Sequence, residues 1–196
     1  MADAWDRAFV LPSPNMPTVD TALVYPGGCL IEGTNLSEGR GHTRPFEFVG
    51  APFVDARRLA AALNSDAMRK AGIGGFRARP TGFAPTFHKH AKQPCGGVQI
   101  HVTDPQSFRP VATYVAMVAY AHHQAPDAFA FRTERYEFVD DIPAFDLLTG
   151  SNVAREAIVA GSSAIEVALD VSHVDAGWSE SQATAQARCA QAAWAI

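Results

Sequence analysis

The polar side chains most capable of chemistry are concentrated in one glycine-rich segment, residues 32–48 (EGTNLSEGRGHTRPFEF). Its glycines, Gly33, Gly39 and Gly41, indicate tight turns. Threaded among the glycines are side chains with hydrogen-bonding groups: Glu32, Thr34, Asn35, Ser37, Glu38, Arg40, His42 and Thr43. We expect a segment this polar to lie outside the hydrophobic core. It predicts either a solvated loop held by its own side-chain hydrogen bonds or a polar wall that faces a polar ligand.

A sugar is one ligand that suits these residues. Carboxylates and amides hydrogen-bond to neighbouring hydroxyl groups, and a guanidinium such as that of Arg40 can hold a carboxylate in bidentate fashion. Glu32 and Glu38 are also the candidates for the acid/base pair of a glycosidase, whose chemistry depends on the separation of the two carboxyl groups. The sequence does not give that separation, so these residues alone leave the ligand open.

A second cluster of reactive residue types lies in Phe87–His101 (FHKHAKQPCGGVQIH). Its potential metal ligands are His88, His90, His101 and Cys95. Their spacing matches no standard zinc motif, so we predict no metal site. We expect Lys89 or His90 to line the same polar surface as the loop at 32–48.

The common catalytic and cofactor motifs do not occur in this sequence. There is no Walker loop, HExxH, GxSxG or SxxK, and the glycine-rich loop opens no βαβ unit of the dinucleotide-binding kind. The cysteines Cys29, Cys95 and Cys189 form no CxxC pair, and we interpret them as free thiols. We therefore predict no cofactor.

Composition limits the class of protein. The 196 residues are 47% hydrophobic and 18% charged, which is typical of one globular domain. A net charge of −4 with no basic cluster argues against a nucleic-acid partner. No apolar run is long enough to span a membrane and the N-terminus does not resemble a signal peptide, so the sequence predicts a soluble chain whose compartment stays open.

Strands and helices are predicted without a regular βαβ rhythm. Two short strands, Ala22–Tyr25 and Cys29–Glu32, would be joined by a turn at Pro26–Gly28. The alternation of Val98, Ile100 and Val102 predicts a strand over Gly97–Thr103 with one buried side. Phe129–Arg132 is a further strand candidate.

Four helices follow from capping residues and apolar spacing. They are Phe53–Leu63, with Leu59 and Leu63 on one face; a helix capped by Asp104 that begins at Pro105 and carries Val111, Val115 and Val118; Ser151–Ala160, with Val153 and Ala157 on one face and a stop at Gly161; and a last helix from Ser179 to Trp194. The expected fold class is α+β, a single compact domain with a short mixed or antiparallel sheet flanked by about four helices.

Two long stretches carry a family resemblance: PSPNMPTVDTALVYPGGCLIEGTNLSEGRGHTRPFEFVGAPFVDA and FAPTFHKHAKQPCGGVQIHVTD. From about Leu11 to Gly161 the chain resembles the C-terminal half of the NamZ-type exo-β-N-acetylmuramidases. The resemblance implies a peptidoglycan-recycling glycosidase that removes a terminal N-acetylmuramic acid from the non-reducing end of cell-wall fragments. The tail after His173 departs from the family, because it is rich in alanine and glutamine.

In that family an N-terminal Rossmann-like domain holds the main catalytic carboxylate and the C-terminal domain closes the cleft. Residues 1–196 resemble the C-terminal domain, so the resemblance places the main catalytic residue in an N-terminal domain or split partner chain. This chain would hold a muropeptide or muramyl saccharide through Glu32, Asn35, Glu38, Arg40, Lys89, His90 and His101. Arg40 would pair with the lactyl or peptide carboxylate. The alternatives are a stand-alone module that binds muramyl sugars or peptidoglycan without catalysis, and a remnant that folds without a specific function.

Overall fold

Three short strands pair into an antiparallel sheet with the last of them in the middle, and helices pack against it. The computed structural model describes residues 8–171. In chain order the elements are α1 (Val19–Gly28), a 3₁₀ helix (Cys29–Gly33), β1 (Phe48–Ala51), α2 (Ala56–Leu63), α3 (Asp66–Lys70), β2 (Phe76–Phe83), β3 (Cys95–Val102), α4 (Pro110–Gln124), α5 (Ala144–Thr149) and α6 (Val153–Val159). Residues 164–171 are also helical. The expected α+β class is confirmed, with more helices than predicted.

The central strand β3 confirms the strand predicted from its alternating apolar residues. Val98 and Ile100 are almost fully buried, and Val98 pairs with Val49 of β1 while Ile100 pairs with Ala78 of β2. Since side chains alternate across a strand, these apolar residues share one face, and α2 packs against β2 and β3. The face is therefore the sheet's contribution to the core.

Side-chain and loop contacts occupy part of each outer edge of the sheet. On β2, Asn64 Nδ2 donates to the carbonyl of Ala78 at 2.7 Å, and Asn64 Oδ1 accepts from the Ala78 amide at 3.0 Å. On β1, Ser37 and Gly50 exchange backbone hydrogen bonds of 2.8 and 3.1 Å. The amide of Asn64 thus satisfies backbone groups that a further strand would otherwise pair with.

The helix α4 runs through the centre of the fold. Most of its residues are buried, as expected for a helix that is apolar all round. Tyr114, which is fully buried, donates from its hydroxyl to the carbonyl of Phe46 at 2.6 Å. Because α4 contacts α1, α2 and the 3₁₀ helix, it holds the N-terminal helices in place.

The predicted strands Ala22–Tyr25 and Cys29–Glu32 are wrong, because this region forms α1 and the 3₁₀ helix. Thr18 begins α1 as its cap, with Oγ1 accepting from the Thr21 amide at 3.2 Å. Pro26, predicted to lie in a turn between two strands, lies in the last turn of the helix.

Gly27 explains why an apolar Pro-Gly-Gly segment is helical here. A Cβ on Gly27 would lie 2.1 Å from the carbonyl oxygen of Pro110 and 2.8 Å from Tyr114 Cδ2. The missing side chain therefore permits close approach of α1 to α4, and burial against α4 outweighs the low helix propensity of glycine.

The other predicted helices exist with different bounds. The helix predicted at Phe53–Leu63 is α2, capped by Asp55 and burying Leu59 and Leu63 as expected. The predicted start at Pro105 is wrong, because Asp104 caps only a turn, accepting from the Gln106 amide at 3.0 Å, and α4 begins at Pro110.

The prediction at Ser151–Ala160 is α6, whose bounds are Val153–Val159. It buries Ala154 and Ile158 rather than the predicted pair Val153 and Ala157. Val153 is exposed. Phe129–Arg132 forms no strand and makes a single bridge between Phe131 and Thr34.

No helix within residues 8–171 is long and apolar enough to cross a membrane. The predicted helix Ser179–Trp194 and Cys189 lie outside the described residues.

Candidate functional site

A buried carboxylate lies at the centre of the polar loop. The side chain of Glu38 is 1% exposed, and its Oε1 accepts from Arg40 Nε at 2.5 Å while Lys89 Nζ lies 2.8 Å from Oε2. Burial by itself raises the pKa of a carboxyl group. The charges and hydrogen bonds of Lys89 and Arg40 outweigh burial, so the pKa of Glu38 lies below its ordinary value. Glu38 is therefore held as an anion.

Arg40 bridges Glu38 to a second carboxylate. Its Nη2 donates to Glu32 Oε1 at 2.7 Å, and its guanidinium carbon lies 5.7 Å from the centre of the Phe46 ring. The other oxygen of Glu32 accepts from the hydroxyl of Tyr136 at 3.1 Å. The side chains of Glu32 and Arg40 are 17% and 22% exposed. The cluster formed by Glu32, Glu38, Arg40 and Lys89 therefore reaches solvent on this side.

Lys89 joins the segment Phe87–His101 to the polar loop at 32–48 through hydrogen bonds. Its Nζ donates to the carbonyls of Ile31 and Thr34 at 2.9 and 3.1 Å, at the end of the 3₁₀ helix that carries Glu32. The next residue, His90, is bound through Nε2 to the carbonyl of Asn35 at 2.7 Å. Lys89 and His90 thus contact the loop at 32–48, and their role in lining a ligand surface stays a prediction.

The backbone that presents Lys89 is strained. His88, His90 and Lys92 have positive φ values of 68°, 55° and 63°, a conformation that is uncommon outside glycine. Strain of this kind persists only where surrounding contacts fix it, and it is often found at functional sites. Here the contacts of Lys89 and His90 fix it.

Comparison with known proteins decides the family. The family model described as "Exo-beta-N-acetylmuramidase NamZ, C-terminal" matches residues 23–185. The chain belongs to this family. A relative, the peptidoglycan β-N-acetylmuramidase NamZ of Bacillus subtilis (strain 168), is 43% identical over 155 residues. The match covers 79% of this chain and 34% of that protein, so the chain spans about a third of its relative.

Two solved structures share the fold of this NamZ C-terminal family member. Both are DUF1343 family proteins from Bacteroides fragilis NCTC 9343, each with a TM-score of 0.54. They are 21% and 24% identical, and the matches cover 81% and 83% of this chain but 36% and 39% of those chains. At this identity the likeness concerns the fold alone.

The motif residues of the NamZ family resemblance are not all placed together. The structure gathers Glu32, Glu38, Arg40 and Lys89 into one cluster, and His90 hydrogen-bonds to the Asn35 carbonyl beside it. Asn35 fastens a neighbouring segment, since its Nδ2 donates to the Ala128 carbonyl at 2.8 Å and its Oδ1 accepts from the Ala130 amide at 3.0 Å.

His101 lies elsewhere, exposed on β3 with its Nε2 3.5 Å from Arg79 Nε. It lines a depression of about 200 Å³ with Arg44 and Glu47, away from the cluster. The expectation that His101 shares the polar surface of Glu32 stays a prediction that the geometry does not support.

Two residues of the cluster were missed by sequence reasoning. Tyr136 contacts Glu32 across 104 positions of sequence, and Arg132 donates from Nη1 to the carbonyl of Glu32 at 3.4 Å. Arg132 ends the predicted strand Phe129–Arg132, and Tyr136 lies beyond it in a segment rich in charged residues. No local pattern indicates their contact with Glu32.

Neither described cysteine suits nucleophilic chemistry. Cys29 and Cys95 are free thiols, and burial raises the pKa of each to about 11. Both thiols are protonated at neutral pH, whereas a nucleophile requires the thiolate. Within residues 8–171 no three histidine, cysteine or acidic side chains are grouped as metal ligands.

The pKa of Glu38 predicts how stability depends on pH. A carboxyl group whose pKa is lowered by folding stabilises the protein at pH values above its pKa in the unfolded chain, which is about 4.5 here. This contribution disappears as the pH falls through the pKa of the folded state. We expect Glu38→Gln to unfold more easily at pH 7 and to lose less stability than the wild type between about pH 5 and 3. Urea unfolding across that range measures both effects.

The matched control for this prediction is Glu166→Gln, because Glu166 is exposed. Asp104 and Glu134 also have lowered pKa values and are unchanged in both variants. An acid-induced loss in Glu38→Gln as steep as in Glu166→Gln would contradict the prediction.

Proposed function

We propose that this chain is the substrate-holding part of the cleft in an exo-β-N-acetylmuramidase. Hydrolysis would then need a catalytic carboxylate from an N-terminal Rossmann-like domain or split partner chain. Membership of the NamZ C-terminal family supports the proposal, as does the name of the Bacillus subtilis relative. The substrate would be a muropeptide or muramyl saccharide with a non-reducing terminal N-acetylmuramic acid.

The observation that carries the proposal is that Arg40 and Lys89 hold the buried carboxylate as an anion. A glycosidase acid must carry a proton near neutral pH, which requires a raised pKa, and the pKa of Glu38 is lowered. A nucleophile must reach the sugar ring, and the side chain of Glu38 is 1% exposed. Glu38 therefore serves to position Arg40 and Lys89.

Glu32 and Arg40 are the groups that can meet a sugar. Glu32 is a partly exposed acceptor for a hydroxyl or amide of the ligand. The Nε and Nη2 atoms of Arg40 are engaged, and Nη1 makes no hydrogen bond within residues 8–171. The partly exposed guanidinium of Arg40 suits the lactyl or peptide carboxylate of a muramic acid residue.

The second candidate function is a stand-alone module that binds muramyl sugars without catalysis. The buried Glu38 favours it, because a carboxylate whose pKa is lowered is a poor proton donor. The two candidates differ only in whether the chain completes an active site when the N-terminal domain is added.

The test combines calorimetric binding of N-acetylmuramic acid with hydrolysis of its para-nitrophenyl glycoside by the full 196-residue chain. We expect binding without release of nitrophenol, and turnover after addition of an N-terminal Rossmann-like domain. Glu32→Gln should weaken binding about tenfold, since a hydrogen bond to a charged group contributes about 1.5–3 kcal/mol. Glu166→Gln is the matched control.

Each outcome decides between the candidates. Turnover by the chain alone that Glu32→Gln abolishes would place the catalytic machinery here and overturn the proposal, as would the absence of binding. Binding that never leads to turnover in the presence of the N-terminal domain would favour the stand-alone module.

A further inference from the structure

A second polar depression, of about 200 Å³, lies between the start of α1, the residues before β1 and the end of β3. We call it the Glu47 depression. Its volume lies below the about 300–1,000 Å³ of pockets for drug-sized ligands, so it suits a small group rather than an oligosaccharide. None of the residues of the cluster around Arg40 lines it, and the proposed function does not use it. Its polar lining residues are Asp20, Arg44, Glu47, Gln99 and His101.

Glu47 supplies a buried carboxylate to this depression. Its side chain is 4% exposed. Its Oε1 accepts from the hydroxyl of Thr21 at 2.8 Å, and Arg44 Nη1 lies 3.4 Å from the same oxygen. The other oxygen, Oε2, makes no hydrogen bond within residues 8–171 and is not sealed from solvent. Because a buried charged oxygen gains from each partner it finds, Oε2 is an acceptor available to a ligand.

Arg44 presents a guanidinium that the protein holds through one nitrogen only. Its Nη1 is shared among Thr18 Oγ1 at 3.4 Å, Asp20 Oδ2 at 3.2 Å and Glu47 Oε1 at 3.4 Å. All three distances exceed the about 2.7–2.9 Å of a good charge-assisted hydrogen bond. The Nε and Nη2 atoms of Arg44 make no hydrogen bond within residues 8–171. The edge of the guanidinium that binds a carboxylate is therefore free.

The ion pair of Arg155 with Asp146 shows how the same edge is used elsewhere in this fold. Nε and Nη2 of Arg155 each donate to one oxygen of Asp146 at 2.8 Å, which is the bidentate geometry typical of arginine and carboxylate. In Arg44 these two atoms have no acceptor among the described residues. A ligand carboxylate can therefore bind Arg44 as Asp146 binds Arg155.

The charges of the depression favour a ligand that carries both signs. An anion bound to Arg44 would lie close to the carboxylate of Glu47, and a cation bound to Glu47 would lie close to the guanidinium, so repulsion opposes either alone. A zwitterion meets an opposite charge at both ends. The two receptors are neighbours, with Arg44 Nη1 3.4 Å from Glu47 Oε1. This arrangement matches an α-amino acid, in which one carbon carries both the ammonium and the carboxylate.

We propose that the Glu47 depression is a binding site for a zwitterionic α-amino acid group. Arg44 holds the carboxylate of the ligand, Glu47 accepts from its ammonium, and Val24 and Val102 in the wall contact its side chain. Two sources carry this group: a free amino acid, or a diamino acid that is part of a peptide through one of its centres and keeps the other centre free. The inference goes beyond the proposed function and does not depend on it.

The test is a titration of the full 196-residue chain that follows backbone amide chemical shifts by NMR. The probes are alanine, N-acetylalanine, which lacks the ammonium, and alaninamide, which lacks the carboxylate. We expect alanine to shift the amides of Glu47 and Ile100 in a saturable way. The two blocked probes should bind at least about tenfold more weakly, because each loses one charge-assisted contact.

A further probe distinguishes the two sources of the group. Diaminopimelic acid that is acylated and amidated at one of its two centres imitates a peptide-borne diamino acid, and its other centre is a free zwitterion. Binding of this probe that is tighter than binding of alanine assigns the site to a peptide. Equal or weaker binding assigns it to a free amino acid.

Variants of the depression test the two receptors separately. Arg44→Met removes the guanidinium, and Glu47→Gln removes the charge but keeps an oxygen for Thr21; each should weaken alanine binding about tenfold. Because Arg44 is 38% exposed and makes only long contacts, its replacement should leave the fold intact. Arg58→Met, exposed on α2, is the matched control and should change alanine binding less than about twofold.

The outcomes separate this inference from the proposed function. Alanine that causes no saturable shifts overturns the inference, as does a blocked probe that binds as tightly as alanine. Alanine binding that Glu32→Gln weakens and Arg44→Met does not would place the ligand in the cluster and also overturn it. The proposed function fails on a different result, the absence of N-acetylmuramic acid binding, and Arg44→Met should leave that binding unchanged.

Discussion

Arg40→Met should destabilise the protein by about 3–5 kcal/mol at pH 7, the cost expected when one partner of a buried ion pair is removed. The variant leaves Glu38, 1% exposed, with Lys89 as its remaining cation, and it breaks the link to Glu32. We expect the pKa of Glu38 to rise, because burial is then less compensated. Urea unfolding at pH 7 measures the loss of stability, and calorimetry should show loss of N-acetylmuramic acid binding.

Arg58→Met is the control for this substitution. Arg58 lies exposed on α2, so its replacement should change the free energy of unfolding by less than about 0.5 kcal/mol. The double variant Arg40→Met with Glu38→Gln should lose less stability than the sum of the single losses, since neither leaves the other's charge unpaired. Additive losses, or a loss below about 1 kcal/mol for Arg40→Met, would show that the pair contributes little.

Gly33→Ala should have the second largest effect, with a loss of about 3 kcal/mol, at the upper end of the usual cost of overpacking. A Cβ at Gly33 would lie 2.6 Å from both the Cα and the amide nitrogen of Phe145. Phe145 is fully buried in α5, so backbone rather than a flexible side chain must move. Since Gly33 follows Glu32, the displacement should also weaken sugar binding.

Gly74→Ala provides the matched comparison, because no atom lies within 4 Å of its added Cβ and its φ is not positive. Alanine reduces the entropy of the unfolded chain, so Gly74→Ala should be neutral or slightly stabilising. Urea unfolding of the two variants side by side tests the prediction. If Gly33→Ala is as stable as Gly74→Ala, the prediction is wrong, because α5 can then move away from the added Cβ without a loss of free energy of unfolding.

The predictions that the structure confirms rest on patterns local to one element. In β3, Val98 and Ile100 alternate with more polar residues, and in α2, Leu59 and Leu63 are one turn apart. In each case the period of the element and its buried face agree. The polar loop at 32–48 was also recognisable from its glycines and polar side chains, but the expectation that it lies outside the core is wrong, because Leu36 and Phe46 belong to the hydrophobic core.

The wrong predictions concern elements whose shape depends on distant contacts. The Pro-Gly-Gly segment of α1 has the composition of a turn, and it is helical because Gly27 packs against Pro110 of α4. The strand β2 was missed because Pro80 and Gly82 are unfavourable in strands, whereas its long pairing with β3 fixes it.

The residues of the site also divide into those whose proximity follows from the sequence and those brought together by the fold. Residues within one motif, such as Glu38 and Arg40, lie close in sequence, so their proximity could be expected. The partner of Glu32 on its other side, Tyr136, is 104 positions away. Only the tertiary fold brings such residues together, and nothing in a single sequence marks the pair.

The Asn64 contact with Ala78 has a consequence for how the protein meets other chains. Sheets with free edges grow by strand addition, which leads to β-augmentation by peptides or to aggregation. On β2 the side chain of Asn64 imitates a neighbouring strand, and Pro80 offers no amide donor. On β1 the backbone N–H and C=O groups of Gly50 are hydrogen-bonded to Ser37. With part of each edge obstructed, strand addition to this small sheet is disfavoured, and so is its growth into a fibril.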